Sequence, residues 1–431
     1  MVCLGVNLGI VLLKNKKIDI LSFFVYNKFE VLFMKLLCVN AGSSSLKYQL
    51  VEMPEEKTII SGYIEKIGFE DSFWNTKING EKIRGEKYLK NHTEAVDVML
   101  DELLKHKAVE SLDEIKGVGH RVLHGGEKYS DSVVIDDQVV QDIKDLTKLG
   151  PLHHPGNLAG IEAMRKALPG VVNVAVFDTA FHQTMPPVNY MYPVPYEWYE
   201  KYGVRKYGFH GTSHKYITET MKKMLGKDDV NLIICHVGSG ASISCIKDGK
   251  CFDTTMGLTP LDGLMMGTRC GSIDPSIIEY VCKESGKDVS EITNDLNKKS
   301  GLLGICGYND NRDVEKAIKE GNERAKLALD MYVDIINRFI AEYYIELDGK
   351  VDAMVMTAGV LENGSETREA ILTKLKPIGI ELDKEVNDKI AGFKEIHEGI
   401  ITTKDSKIPV YVIPTNEEIM IIRDTYKFVN K

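Results

Sequence analysis

Asn40-Ala41-Gly42-Ser43-Ser44-Ser45-Leu46-Lys47 comes directly after the apolar run Leu36-Leu37-Cys38-Val39. A run of that length, closed by a glycine turn, reads as a buried strand rather than a helix. Gly42 lets the chain turn sharply, so that several backbone N–H groups can converge on a phosphate. Ser43 and Ser45 bring hydroxyl donors, and Lys47 brings a mobile positive charge. Asn40 lies at the carboxyl end of the strand, where open α/β sheets hold their ligands. By itself, a serine–glycine turn is more often a plain polar hairpin. The residues after the turn narrow the class. Leu46 to Val51 alternates apolar and polar residues and continues as a second strand, whereas a helix succeeds the glycines of a Walker-type loop.

The same grammar recurs further along. Leu232-Ile233-Ile234-Cys235-His236-Val237 ends in Gly238-Ser239-Gly240, and Ala241 to Ile246 then alternates up to the turn Lys247 to Lys250. A third run, Ala353 to Thr357, ends in Ala358-Gly359. Two strand–turn–strand units, one near the start of each half, predict a weak internal duplication. Helices are expected between them, over Thr93–His106 with Thr93 as cap, and over Asn322–Leu347. Alternating strands and helices indicate an α/β architecture. A chain of 431 residues is too long for one ordinary core and predicts two domains. Met185-Pro186-Pro187 punctuates the expected boundary, in the stretch Phe177 to Pro187.

The net charge of −9 argues against a broad nucleic-acid surface, which needs clustered Lys and Arg. None of the eight cysteines is spaced as C-x-x-C, and several lie in strand-like runs, so reduced thiols are expected and a zinc site is not. Met1 to Leu13 is apolar but too short to span a bilayer, and it lacks a basic leader and a cleavage site. Ile18 to Phe33 carries Asp19, Lys28 and Glu30. Met34 is therefore read as the true start, with residues 1–33 an over-extended reading of the gene. The competing idea is a membrane-associating leader, and the intact mass of the native protein separates the two.

Several side chains stand in settings that suit chemistry. Asp178 ends the apolar run Val172 to Phe177, again at a strand's carboxyl end. Arg269 sits between Met265-Met266-Gly267 and Cys270-Gly271, a poor setting for a purely solvated charge. The His210–His214 spacing could suggest a metal pair, but the Glu of H-E-x-x-H is missing and Gly211 comes at once after His210. His120 and His124 share that spacing in a strand-like run and are read as structural.

Val39 to Lys47, reading VNAGSSSLK, resembles the first fingerprint of the acetate kinase family, and Tyr207-Gly208-Phe209-His210-Gly211-Thr212-Ser213-His214 resembles the second. Further matches, in the right order, are Gly119-His120-Arg121 with His124-Gly125-Gly126, Phe177 to His182, Met266 to Arg269, and Pro414 to Glu418. The resemblance implies two similar α/β domains of the actin, hexokinase and Hsp70 (ribonuclease H-like) type, with an active-site cleft between them. It implies a first domain over residues 34–182, a second over 183–417, and a C-terminal segment, 418–431, packing back on the first.

The implied activity is reversible in-line transfer of the ATP γ-phosphoryl group to acetate, giving acetyl phosphate and ADP. A propionate or other short-chain acid kinase is the alternative. A non-catalytic nucleotide switch is the alternative of another class, but it would not need Arg121, Asp178, His210 and Arg269 together. These four are the implied catalytic residues, since transfer to a carboxylate calls for positive partners and hydrogen-bond donors around the moving phosphoryl group. Arg121, Leu123, Leu152, His153, Phe209 and Pro260 are the implied acid-binding residues. Ser43, Ser45, Lys47, the stretch His236, Val237, Gly238, Ser239, Gly240, then Asp310, Asn311, Arg312, and Gly359, Val360, Leu361, Glu362, Asn363 are the implied nucleotide contacts. Asn40 and Glu417 match metal-associated positions, for Mg²⁺ with Mn²⁺ as a substitute.

Three departures bear on specificity. Asn311 stands where the family commonly has an aromatic residue, and Leu361 where it commonly has glycine; both are expected to alter contacts to the adenine. Leu123 stands where Val is common, and the added methylene favours acetate over longer acids. The family pattern also implies a cytoplasmic homodimer, with no nucleic-acid or membrane partner.

Overall fold

The computed structural model describes residues 33–430. The proposed extension therefore lies outside the described residues, apart from Phe33. Among the described residues, fourteen strands form two sheets. The first sheet contains β1 (Met34–Ala41), β2 (Ser45–Met53), β3 (Lys57–Glu65), β4 (Phe73–Ile78), β5 (Glu81–Glu86), β6 (Ile115–Val122), β7 (Val133–Val134) and β8 (Val172–Phe177), in the spatial order β5-β4-β3-β2-β1-β6-β8-β7. The second contains β9 (Leu232–Val237), β10 (Ala241–Lys247), β11 (Lys250–Thr254), β12 (Ala353–Thr357), β13 (Gly399–Ile400) and β14 (Val410–Val412), in the order β11-β10-β9-β12-β14-β13.

The two sheets share one plan. In the first, β1 folds back antiparallel on β2, while its other edge pairs in parallel with β6, which pairs in parallel with β8. In the second, β9 folds back on β10 and pairs in parallel with β12, which pairs in parallel with β14. With β3 antiparallel on β2 and β11 antiparallel on β10, the duplication read from the two strand–turn–strand units extends to five equivalent strands in each half. The parallel strands are buried on both faces, so they read as continuous apolar runs rather than alternating ones.

Helices cover both sheets. The first runs over His92–Lys105, and its cap is Asn91, whose side chain accepts from the Glu94 backbone N–H. This corrects the expected Thr93 cap: the cap lies two residues earlier, and an asparagine carbonyl reaches the orphan donor as well as a threonine hydroxyl does. The long helix is Glu323–Glu346, capped by Asn322, and its buried face packs on the second sheet through Val333, Ile336, Ile340 and Tyr343. The helix Glu417–Val429 returns to the first sheet, where Ile419, Ile421 and Ile422 pack with Leu36, Cys38, Val174 and Val176. Gly117 and Gly119 make that approach possible, since a Cβ on either would collide with Val429 or with Thr425 and Ile421. All seven described cysteines are free thiols. No described helix is long and apolar enough to cross a membrane.

Candidate active site

Asn40, Arg121 and Asp178 come together because β1, β6 and β8 are parallel neighbours, and each residue stands at or just beyond a carboxyl end. Asp178 is fully buried. Arg121 grips it with both arms, Nε to Oδ1 at 3.2 Å and Nη2 to Oδ2, and Thr212 donates its hydroxyl to Oδ1 at 3.2 Å. Glu417 Oε2 lies 3.9 Å from Arg121 Nε. Burial works against the Arg121 charge, but Asp178 and Glu417 outweigh it and hold its pKa above the ordinary value. Glu417 is itself pushed up to about 7, by burial and by the nearby Asp178 and Glu418 charges, with Arg121 and Lys47 pulling the other way.

The turn Ala41–Ser44 is braced from behind. Asn157 donates to Ala41 O at 2.7 Å and accepts from the Leu123 N–H at 3.1 Å, which ties the turn to β6's end. His92 Nε2 meets Gly42 O at 2.7 Å. Gly156 lets the helix His154–Ala167 lie against the turn, where a Cβ would stand 2.4 Å from Gly42 O. These supports were missed in the sequence, where an Asn or Gly inside a helical stretch carries no local sign of what it touches. Asn40 and Lys47 face one another across the β1–β2 ladder, so both project on the same side.

His210 precedes the helix Gly211–Leu225 in a left-handed conformation, with φ 58°. A non-glycine residue held there stores about 1–3 kcal/mol of strain, which places the imidazole against the second sheet. Its ring stacks on His236 at 4.2 Å, and its Nδ1 meets Ser242 Oγ at 2.9 Å. Burial and the surrounding His236, His214, Arg121 and Arg269 keep the His210 pKa well below the ordinary value, so the ring is neutral. His120 and His124 are buried beside this region; His120 Nε2 meets Asn173 Oδ1 at 2.8 Å, and His124 Nδ1 accepts from the Gly126 N–H at 2.9 Å.

Arg269 is half-buried and donates to Pro260 O at 3.1 Å, but it has no carboxylate partner among the described residues. It converges with His210 on the second glycine turn. A Cβ at Gly240 would stand 3.3 Å from His210 Nε2 and 3.5 Å from Arg269 Nη1. Of the expected acid-binding residues, Leu123 and Phe209 are buried in one apolar cluster and Pro260 is half-buried beside Arg269. His153 is exposed at the start of its helix; crowding lowers its pKa, as does the positive charge of Arg121 and Arg269. Leu152 is 70% exposed in the turn that precedes it. It is thus an open, solvent-facing apolar side chain beside His153.

On the nucleotide side, the turns at Gly238–Gly240 and Ala358–Gly359 abut, with a Cβ at Gly238 coming within 3.7 Å of Ala358 Cβ. Ser239 and Gly359 are exposed there. Two expectations about the adenine contact are corrected. Asn311 turns into the protein, donating to Thr367 Oγ1 at 2.7 Å and Glu315 Oε1 at 2.9 Å. Leu361 is fully buried in the core of the second sheet. Asp310 caps the helix Asn311–Lys319 and is gripped by Arg312, whose side chain is largely exposed. Glu362 accepts from the Ala358 N–H at 2.7 Å and the Thr415 N–H at 3.0 Å, so it holds two strand ends together rather than facing solvent. Asn363 is exposed and closes the same turn by donating to Gly359 O at 2.8 Å.

Known proteins share this sequence and fold. The acetokinase family model matches residues 35–423. An acetate kinase of Finegoldia magna is 50% identical over 395 residues, covering 91% of this chain and 99% of that protein. Among solved structures, an acetate kinase of Porphyromonas gingivalis superposes with a TM-score of 0.87 at 44% identity, covering 92% of this chain and all of that one. A propionate kinase from Francisella tularensis superposes with a TM-score of 0.85 at 42% identity, covering 91% and 99%. The fold, the family match and the relatives over nine-tenths of its length agree: the chain belongs to the acetokinase family.

Proposed function

We propose that the chain catalyses reversible transfer of the γ-phosphoryl group of ATP to acetate, giving acetyl phosphate and ADP. The observation that carries this is Arg269. A half-buried guanidinium without a carboxylate partner, set against a neutral imidazole and a glycine turn, is suited to an anion that arrives with the substrates. A carboxylate oxygen of acetate attacks the γ-phosphorus as the bond to the β-bridging oxygen breaks, and no proton need move. The equatorial oxygens then carry the charge, and Arg269 with His210 Nε2 would meet them. Arg121, fixed by Asp178, would orient the acetate carboxylate. Ser43, Ser45, Lys47 and residues 236–240 would hold the phosphates, and Gly359 with the exposed end of its turn would pass beside the adenosine.

Asn40 and Glu417 fit a magnesium ion. The Asn40 side-chain amide has no hydrogen-bond partner among the described residues, and Glu417 offers hard carboxylate oxygens beside Arg121. Bound there with the nucleotide, Mg²⁺ would supply charge neutralisation at the phosphates. A division into residues 34–182 and 183–417, with the C-terminal helix on the first part, suits closure of a cleft around ATP. A homodimer through the second half is also proposed. The helix Glu323–Glu346 exposes Leu327, Met331 and Ile345, and light scattering tests the assembly.

The main test is a hydroxylamine trap for the acyl phosphate with ATP, Mg²⁺ and each of acetate, propionate and butyrate. Acetyl hydroxamate as the preferred product supports the proposal. A preference for propionate would favour the reading suggested by the Francisella tularensis relative, and no hydroxamate with any acid would end the proposal.

A further inference from the structure

Behind His210 runs a chain of buried hydrogen bonds that none of the recognised motifs contains as a unit. His210 Nδ1 meets Ser242 Oγ at 2.9 Å. Ser242 Oγ also meets His214 Nε2 at 2.8 Å, and His214 Nδ1 meets Ser244 Oγ at 2.7 Å. Ser242, His214 and Ser244 are completely buried. The geometry arises from two periodicities. Ser242 and Ser244 are two apart on β10 and so face the same way, while His210 and His214 stand one helical turn apart.

Each link has a direction, because each group has a fixed stock of protons. A hydroxyl donates one hydrogen, and a neutral imidazole donates through only one of its nitrogens. His210 and His214 are both kept neutral, chiefly by burial. Three arrangements are then conceivable, and one of them, with Ser242 accepting from both His210 Nδ1–H and His214 Nε2–H, leaves the buried Ser242 hydrogen without an acceptor; the other two run in one direction throughout. In the first, Ser244 donates to His214 Nδ1, His214 Nε2–H donates to Ser242, and Ser242 donates to His210 Nδ1. In the second, every hydrogen bond runs the other way, from His210 Nδ1–H to Ser242, on to His214 Nε2, and from His214 Nδ1–H to Ser244. The second leaves the Ser244 hydroxyl hydrogen without an acceptor, since Ser244 Oγ has no other partner among the described residues and no exposure to water. A buried donor left unpaired costs about 1–3 kcal/mol, which is a population bias of about fivefold to a hundredfold for the first arrangement.

We infer that Ser244, His214 and Ser242 are positioning residues that fix His210 as its Nε2–H tautomer, so that the one imidazole N–H points towards the Gly240 turn and Arg269. The inference rests on the proposed role of His210 as a donor to the moving phosphoryl group, and it supplies what that role requires. A His210 protonated on Nδ1 would present a lone pair to an anion there, and would repel it. Ser244 thereby acts at the far end of the chain, beyond direct contact with any ligand.

The test is ¹⁵N NMR of the full-length protein with ¹⁵N-labelled histidine, the His210 signals being assigned by their loss in His210→Gln. The Nε2–H tautomer is expected in the wild type, and Nδ1–H as the major form would overturn the inference. Ser244→Ala removes the asymmetry, because each direction then leaves one His214 nitrogen unpaired. A mixture of His210 tautomers is expected, with kcat reduced about twofold to tenfold and KM for acetate within twofold. A pure Nε2–H signal in Ser244→Ala would show that Ser244 does not set the direction and would also overturn it. If Ser244→Ala fails to fold, the wild-type spectrum alone decides. Failure of the catalytic reading is distinguishable, since it would appear as full activity in His210→Gln whatever the tautomer.

Discussion

Gly211 offers a test in which packing and helix propensity predict opposite signs. It is the first residue of the helix Gly211–Leu225, and its backbone is outside the left-handed region, so alanine is compatible with its conformation. On propensity alone, Gly211→Ala would stabilise the helix by up to about 1 kcal/mol. Space says otherwise. An added Cβ would lie 2.1 Å from the Asp178 carbonyl oxygen and 3.3 Å from Phe181 Cβ. Relief requires a shift of about 1 Å, and the obstacle is backbone rather than a flexible side chain. Retreat of the helix start would stretch the Gly211 N–H bond to Asp178 O, now 2.9 Å, and the Thr212 bond to Asp178 Oδ1, now 3.2 Å. It would also carry His210 away from Arg269. Overpacking of this kind costs about 1–3 kcal/mol of stability, and a displacement near 1 Å at a reacting centre costs about a hundredfold in kcat. Urea denaturation and the hydroxamate assay measure the two. A Gly211→Ala protein as stable as the wild type, with kcat within twofold, would refute the reasoning.

Leu123→Ala is expected to raise the propionate-to-acetate ratio of kcat/KM by roughly tenfold, from the 1–3 kcal/mol that a pocket methylene discriminates; an unchanged ratio removes Leu123 from the acid pocket. Glu362→Ala leaves the Ala358 and Thr415 N–H groups without their acceptor and should cost about 3 kcal/mol in chemical denaturation, with Glu362→Gln costing less because its amide oxygen still accepts. His120, His182 and His236 are each held down to about 4, chiefly by burial, against 6.5 for a free histidine. The unfolded chain therefore binds more protons, so their contribution is intact above the unfolded pKa and is lost as pH falls from there through the folded values. Each should remove about 2 kcal/mol by pH 5, seen as a fall in urea midpoint and as proton uptake on unfolding.

The strand–turn–strand units were legible in the sequence because their signals are local: an apolar run, a glycine and an alternating run lie within about a dozen residues. Strand ends were legible for the same reason at Asn40 and Asp178, whereas Arg121 was assigned only through the family resemblance, since its neighbours across the sheet are distant in sequence. Side-chain direction was not. Asn311 and Leu361 occupy motif positions, yet their side chains turn into the protein, because neighbours distant in sequence, such as Thr367, decide the facing. Ser242 and Ser244 were read as the polar positions of an alternating strand. Both lie at full burial, on a face that β10 presents to His210 and His214.

The helix Glu417–Val429 also bears on how the protein is made. Its isoleucines complete the core behind β1, β6 and β8, and its first residue stands beside Arg121. During synthesis, β1 leaves the ribosome roughly 380 residues before that helix does, an interval of about 20–75 seconds at ~5–20 residues per second. Until that helix emerges, Leu36 and Cys38, and then also Val174 and Val176, lack the apolar cover it supplies. The first half of the chain is thus an orphaned half-core while it is being translated. The growing chain must be kept from aggregating through that face until residues 417–429 emerge, and the same event that closes the core delivers Glu417 to the active site.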